Sequence, residues 1–226
     1  MNGGDREAAK RRAGESAAAV VEDGMVVGLG TGSTAAHAIR ALGRRVDGGL
    51  DIEGIPTSFQ ARQLAREAGV SLTGIRETTP DVAIDGADRV AGGDLIKGGG
   101  GAHAREKVVD AAADRFLVVV DESKEVEVLD HGVPVEVLPD ARATVAAAVR
   151  ELGGDATLRA AQRKDGPVVT DNGNLVLDCD FGPIPDPEGL ANDLAAIPGT
   201  VEHGLFVGLT DEIHVGRGDS TEVRDV

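Results

Sequence analysis

Met25-Val26-Val27-Gly28-Leu29-Gly30-Thr31-Gly32-Ser33-Thr34-Ala35-Ala36-His37-Ala38-Ile39 is the stretch whose reading decides the fold class. A short apolar run passes into alternating glycines, then two hydroxyl side chains, then an alanine-rich segment with helical spacing. The pattern predicts a buried strand, a glycine turn and the start of a helix. Such a turn is an anion pocket. Glycine lets backbone N–H groups approach a ligand closely, and the helix N-terminus adds partial positive charge. Ser33 and Thr34 add hydroxyl donors, and Ser33 or Thr31 is placed to cap the helix. The expected ligand is phosphorylated.

The same alternation continues outward. Helices are predicted over 5–21, 33–42, 59–68 and 102–113, and strands over 25–29, 52–55, 82–84 and 116–120. Strands alternating with helices imply an α/β fold: a Rossmann-like, mostly parallel sheet with helices on both faces. The pattern changes after about residue 130. Val133-Pro134-Val135-Glu136-Val137 reads as an edge strand because Pro134 lacks an N–H. A helix over 141–152, a segment over 156–161, a hairpin of 168–171 and 174–177 around Asn172-Gly173, and a helix over 187–196 follow. In an Asn-Gly hairpin both turn residues take positive φ. The order is that of a small α+β, ferredoxin-like module. The expected domains are residues 1–130 with 204–226, and residues 131–203; strands at 205–209 and 212–215 are expected to rejoin the main sheet.

Composition narrows the chemistry. The 226 residues include four Phe and no Trp or Tyr, so Val, Leu, Ile and Ala must build the core. Lys and Arg number 23 against 39 Asp and Glu, for a net charge of −16. With no basic patch, nucleic acid is not an expected partner. A strong acidic excess with few lysines suits a salty cytoplasm, where ions screen self-repulsion, so added salt is expected to raise stability. Cys179 is the single cysteine, which leaves no internal disulfide and no zinc spacing. Residues 1–7 lack the apolar core of a signal peptide, and no apolar run reaches the roughly 18 residues of a membrane span. The expected location is cytoplasmic, with no membrane partner.

Three more segments carry chemistry. Asp85-Gly86-Ala87-Asp88 follows a buried strand, at the edge where open α/β sheets bind ligands. Its two carboxylates can act as an acid and as a hydrogen-bond acceptor, though Asp-Gly is also common turn chemistry. Lys97-Gly98-Gly99-Gly100-Gly101 precedes Ala102-His103-Ala104-Arg105-Glu106-Lys107. Four glycines are entropically costly in a mere loop, and a turn presenting bare N–H groups to a substrate explains them better. Glu106, one turn into the next helix, is the candidate base. The bland alternatives are a solvated Glu106 paired with a neighbour and His103 as a cap or surface group. Val119-Val120-Asp121-Glu122-Ser123-Lys124 delivers a lysine from an apolar strand to the same edge, suited to a phosphate or sugar hydroxyl.

The glycine turn is not a Walker A loop, because no lysine precedes Ser33-Thr34. A dinucleotide fingerprint fits better in spacing, with Gly28, Gly30 and Ser33. However, Pro56-Thr57-Ser58 stands where an acidic residue would meet a ribose.

Together the segments resemble the ribose-5-phosphate isomerase type A family. The shared marks are Gly30-Thr31-Gly32-Ser33-Thr34, Asp85-Gly86-Ala87-Asp88, the run from Lys97 to Lys107, and Asp121-Glu122-Ser123-Lys124, in order and near the family spacing. The resemblance implies interconversion of D-ribose 5-phosphate and D-ribulose 5-phosphate through an enediolate, in the non-oxidative pentose phosphate pathway, with no cofactor and no metal. Glu106 would be the base between C1 and C2, and Asp85 would assist ring opening and proton shuttling. Asp88 and Lys97 would bind enediolate oxygens, over a loop of Gly98, Gly99 and Gly100. Gly30, Thr31, Gly32, Ser33, Thr34 and Lys124, with Lys10 as helper, would hold the phosphate or nearby hydroxyls. A homodimer or homotetramer is also implied. Where the family usually has Glu after Asp88, this chain has Arg89. The runners-up are an aminosugar-phosphate deaminase and a sugar-phosphate sensor. A sensor would carry a DNA-binding module before the glycine turn, and the stretch before Val26 is too short for one.

Overall fold

The computed structural model describes residues 3–226; Met1 and Asn2, at the start of the segment read as lacking a signal, lie outside them. In chain order the elements begin with α1 (Gly3–Val20), β1 (Val26–Leu29), α2 (Ser33–Asp47), β2 (Glu53–Pro56), α3 (Phe59–Glu67), β3 (Ser71–Leu72) and β4 (Val82–Asp85). Next come β5 (Arg89–Ala91), β6 (Asp94–Ile96), α4 (His103–Asp110), β7 (Arg115–Asp121), β8 (Val133–Val137), α5 (Arg142–Glu151) and β9 (Asp155–Leu158). The chain ends with β10 (Leu175–Asp180), α6 (Pro187–Ala196), β11 (Thr200–His203), β12 (Leu205–Phe206), β13 (Glu212–Arg217) and β14 (Ser220–Asp225). No helix among the described residues is long and apolar enough to cross a membrane.

The chain divides into two units. The first takes residues up to Ala87, Arg105–Glu125 and Leu209–Val226. Its sheet runs β14-β13-β7-β4-β1-β2-β3, parallel throughout except for the final β13–β14 pair. β7 lies between β4 and β13, and all its residues but Arg115 are buried. An inner parallel strand is covered on both faces, hence its unbroken apolar run. Helices α1 and α2 bury mostly alanines, including Ala13, Ala17, Ala35 and Ala38. Small side chains let helices pack closely, which is how a core almost without aromatics fills its space.

His214 on β13 is fully buried in this unit. Its Nδ1 lies 2.8 Å from Ser16 Oγ on α1, and its Nε2 bonds Glu212, which also accepts from Arg115 of β7. Burial pushes the imidazole below the ordinary histidine range, outweighing the opposite pull of Glu212. The unfolded chain therefore takes up a proton that the native chain refuses. This contribution to stability is present above the unfolded value of about 6.5 and is lost as pH falls from there through the folded value. The melting temperature should drop between pH 7 and pH 5, and His214→Gln should flatten that slope. Equal slopes in melts of both proteins would exclude His214 as the cause.

The second unit takes Asp88–Ala104 and Val126–Gly208. Its four-stranded antiparallel sheet runs β11-β8-β10-β9, and with α5 and α6 it has the β-α-β-β-α-β order of a ferredoxin-like module. Val133, Val135, Val137, Val145, Val149, Leu177, Cys179 and Leu194 form its core. The Cys179 thiol is pushed up to about 12, by burial first and then by Asp178 and Asp155, so it is no nucleophile near neutrality.

Several expectations are corrected here. β8 is an inner strand. Pro134 is tolerated because it lies one residue beyond the last β11 pair, Val135 with His203, and only its carbonyl is needed there, accepting from Gly204 N–H at 2.7 Å. The hairpin has one true arm. Thr170, Asn172 and Asn174 direct their side chains onto Glu136 Oε1, a fully buried carboxylate of β8. Residues 168–174 therefore cover β8, bridging β10 only at Val169–Leu175. Among the described residues no non-glycine has positive φ, so Asn172 does not adopt the tight-turn conformation expected of it. β12 joins β6 and β5 in a separate three-stranded sheet, not the main one. For that reason Asp88–Ala104, expected with the α/β domain, groups with the second unit, where Ile96 enters the core.

Candidate active site

In the first unit the chain leaves β1 to form β2 and β3 on one side, then returns to place β4 on the other. Between β1 and β4 the strand order reverses, and the carboxyl ends of the strands flank a crevice there. Gly30 follows β1 and Asp85 ends β4, so both face this switch point. Gly30 N–H donates to the Ile84 carbonyl at 3.0 Å. Asp85 is 0% exposed, and its Oδ1 accepts from Thr31 N–H at 3.0 Å and Gly86 N–H at 2.6 Å. The glycine turn and the first carboxylate are therefore one structure. A Cβ on Gly30 would fall 2.1 Å from Asp85 Oδ1, so only glycine permits this approach.

Gly32 is the N-cap of α2, and no side chain caps it, contrary to the expectation for Ser33 or Thr31. Ser33 is instead the first helical residue, and Thr31 Oγ1 bonds Thr57 and Ser58. An uncapped first turn keeps its N–H groups available for an anion. Lys10 Nζ donates to Ser33 Oγ at 3.1 Å, which brings a cation from α1 to the same helix start.

Lys124 closes a 3-10 helix (Glu122–Lys124) after β7, next to β4 on the same rim. The buried Asp121 carboxylate accepts from Ser123 N–H at 3.1 Å and fixes the turn that carries the lysine. Behind it, Glu125 accepts from Arg217 and Arg224 of the β13–β14 hairpin, each at 2.6 Å. Glu106 stands in the first turn of α4 and is 4% exposed, which excludes the solvated alternative.

The second unit holds the other candidates. Asp88 Oδ2 accepts from Gly99 N–H at 2.8 Å, tying the carboxylate to the glycine loop. Lys97 is 2% exposed, and its Nζ lies 5.2 Å from the centre of the Phe206 ring. This lysine is an interior group. His103 is 0% exposed and packs against Gly98, a core position rather than a surface one. Arg89 turns aside: it donates to the Asp88 carbonyl at 2.9 Å and to Asp130 at 3.3 Å. The sequence reading missed Arg159, whose Nη1 donates to the carbonyls of Gly98 and Gly99 at 2.8 and 3.1 Å. No motif surrounds it, and only its distant partners reveal it.

Known proteins match this chain in sequence and fold. The family model described as ribose 5-phosphate isomerase A (phosphoriboisomerase A) matches residues 53–220. The ribose-5-phosphate isomerase A of Haloarcula marismortui is 69% identical over 99% of this chain and 98% of that protein. That of Natronomonas pharaonis is 71% identical over 98% of each. The structure of ribose 5-phosphate isomerase A from Methanocaldococcus jannaschii superposes with a TM-score of 0.94 at 45% identity, covering 98% of this chain and all of that one. A structure of D-ribose-5-phosphate isomerase in complex with phospho-erythronic acid gives 0.96 at 40% identity, covering both chains fully. Matched along nearly its whole length by these relatives, and over residues 53–220 by the family model, the chain belongs to the ribose 5-phosphate isomerase A family.

Proposed function

We propose that the chain interconverts D-ribose 5-phosphate and D-ribulose 5-phosphate as an aldose–ketose isomerase of the non-oxidative pentose phosphate pathway. The observation that carries this reading is Asp85, buried and bonded to the glycine turn at the switch point, in a chain 69% identical to a ribose-5-phosphate isomerase A.

The chemistry needs a base, acceptors for negative charge on oxygen, and a grip on the phosphate. Glu106 takes the C2 proton of the open-chain aldose. The electron pair moves through C1–C2 onto O1, giving the enediolate, and return of the proton to C1 leaves a ketone at C2. The O2 proton must pass to O1, and Asp85 serves that transfer and the preceding ring opening. Asp88 and Lys97 bind oxygens of the enediolate, and the backbone N–H groups of Gly98 and Gly100 add donors, the Gly99 N–H being held by Asp88. Residues 30–34, Lys10 and Lys124 hold the phosphate end. A general base contributes about 10²–10⁴-fold and each oxyanion donor about 10²–10³-fold. The phosphate supplies remote binding energy that fixes the sugar for proton transfer. These groups complete the reaction without a metal or organic cofactor. The acidic composition and the haloarchaeal relatives support work in a salty cytoplasm, and the family supports a homodimer or homotetramer.

The test is a coupled assay with ribose 5-phosphate, with and without chelator, in dilute and molar salt. Conversion that survives the chelator and strengthens with salt is expected. Ammonia release from an aminosugar phosphate, or NAD(P)H binding without isomerisation, would replace this reading.

A further inference from the structure

We infer that Arg159 is a positioning residue for this reaction: it fixes the direction in which the glycine loop presents its backbone N–H groups. The inference rests on the reading of that loop as the enediolate-oxygen site.

Arg159 follows β9 and is itself anchored. Its N–H donates to Val176 O, and its carbonyl accepts from Val168 N–H, both at 2.9 Å. The side chain is 15% exposed. Its Nε donates to both carboxylate oxygens of Asp178 on β10, at 3.1 and 3.0 Å, and Nη2 joins the same carboxylate. This forked grip leaves Nη1 aimed at the loop, where it meets the carbonyls of Gly98 and Gly99.

A trans peptide holds its C=O and N–H in opposite directions. Drawing the Gly98 and Gly99 carbonyls toward the guanidinium turns the N–H groups of Gly99 and Gly100 away from it. The Gly99 N–H obeys this rule, since it ends on Asp88. The Gly100 N–H is turned by the same constraint, in an exposed peptide. Polyglycine has no side-chain preference to hold such an orientation; the Gly101 N–H, donating to the Gly98 carbonyl at 3.0 Å, holds the first peptide together with the guanidinium, which also takes the Gly99 carbonyl of the second. Hydrogen bonds to the carbonyls also polarise the peptides and strengthen their N–H groups as donors. The loop is thereby set for charge that develops only in the transition state, which is the condition for raising kcat rather than tightening substrate binding.

The test compares wild type, Arg159→Ala, Arg159→Lys and Asp178→Asn well below their melting temperatures. Arg159→Ala should lower kcat about 10–10²-fold with KM for ribose 5-phosphate within about threefold. Affinity for phospho-erythronic acid, whose planar carboxylate carries two oxygens as the enediolate does, should fall by a factor similar to that in kcat. Lysine offers one point donor in place of the fork, so Arg159→Lys should recover only part of the rate. If Arg159→Ala does not fold, Asp178→Asn decides, with an expected kcat loss of about three- to tenfold and a parallel loss of inhibitor affinity. Lower melting temperatures with wild-type kcat and inhibitor affinity would reduce Arg159 to a structural clamp and overturn the inference. Inactive wild type would instead remove the reading of the loop, and the inference with it.

Discussion

Glu106→Gln is expected to lower kcat by at least about 10²-fold while KM stays within about twofold. Glutamine keeps the size and shape of the side chain but cannot accept the proton from carbon. Because Glu106 is 4% exposed on a short helix, the substitution swaps one buried polar group for another and leaves the packing nearly intact. The melting temperature should therefore change little, separating lost chemistry from lost structure. Steady-state kinetics with ribose 5-phosphate, beside a thermal melt, supply both measurements. A fall in kcat of less than tenfold would assign the base to another carboxylate, with Asp85 the first candidate.

Gly30→Ala should be nearly as damaging, for a different reason. The added Cβ would lie 2.1 Å from Asp85 Oδ1 and 2.2 Å from its Cγ. Neither side can give easily. Asp85 ends a strand paired with β7 on one flank of β4, and Gly30 is tied to Ile84 across the crevice. Overpacking of this kind costs about 1–3 kcal/mol, or roughly 2–4 °C of melting temperature per kcal/mol in a chain of this size. Any relief must displace the Asp85 carboxylate or break its bond from Thr31, so kcat should fall by about 10²-fold or more. An alanine variant with wild-type melting behaviour and kcat within threefold would show that this close approach is unnecessary.

Much of this was legible in the residues. The buried run of β7 and the glycine turn after β1 announce a parallel sheet with a binding crevice, and their spacing is local. What stayed hidden depends on partners far along the chain. Pro134 suggested an edge strand because its missing N–H is visible, whereas the end of the β11 ladder beside it is not. The Asn172-Gly173 signal pointed to a tight hairpin, but Glu136 draws Thr170, Asn172 and Asn174 into a cover for β8. Ser16 meets His214 across a separation of 198 residues, and Arg159 reaches Gly98 across 61. No local pattern encodes such pairs.

The placement of β13 beside β7 has a consequence for synthesis. Residues 209–226 are made after the strands they join, yet β13 and β14 complete the first unit's sheet. Until they emerge, the nascent chain carries Phe116, Leu117, Val118, Val119 and Val120 on a bare strand margin, with unmet backbone groups open to any neighbouring polypeptide. A chain cut short before residue 209 thus yields a product prone to clumping, even though every proposed catalytic side chain has already been made.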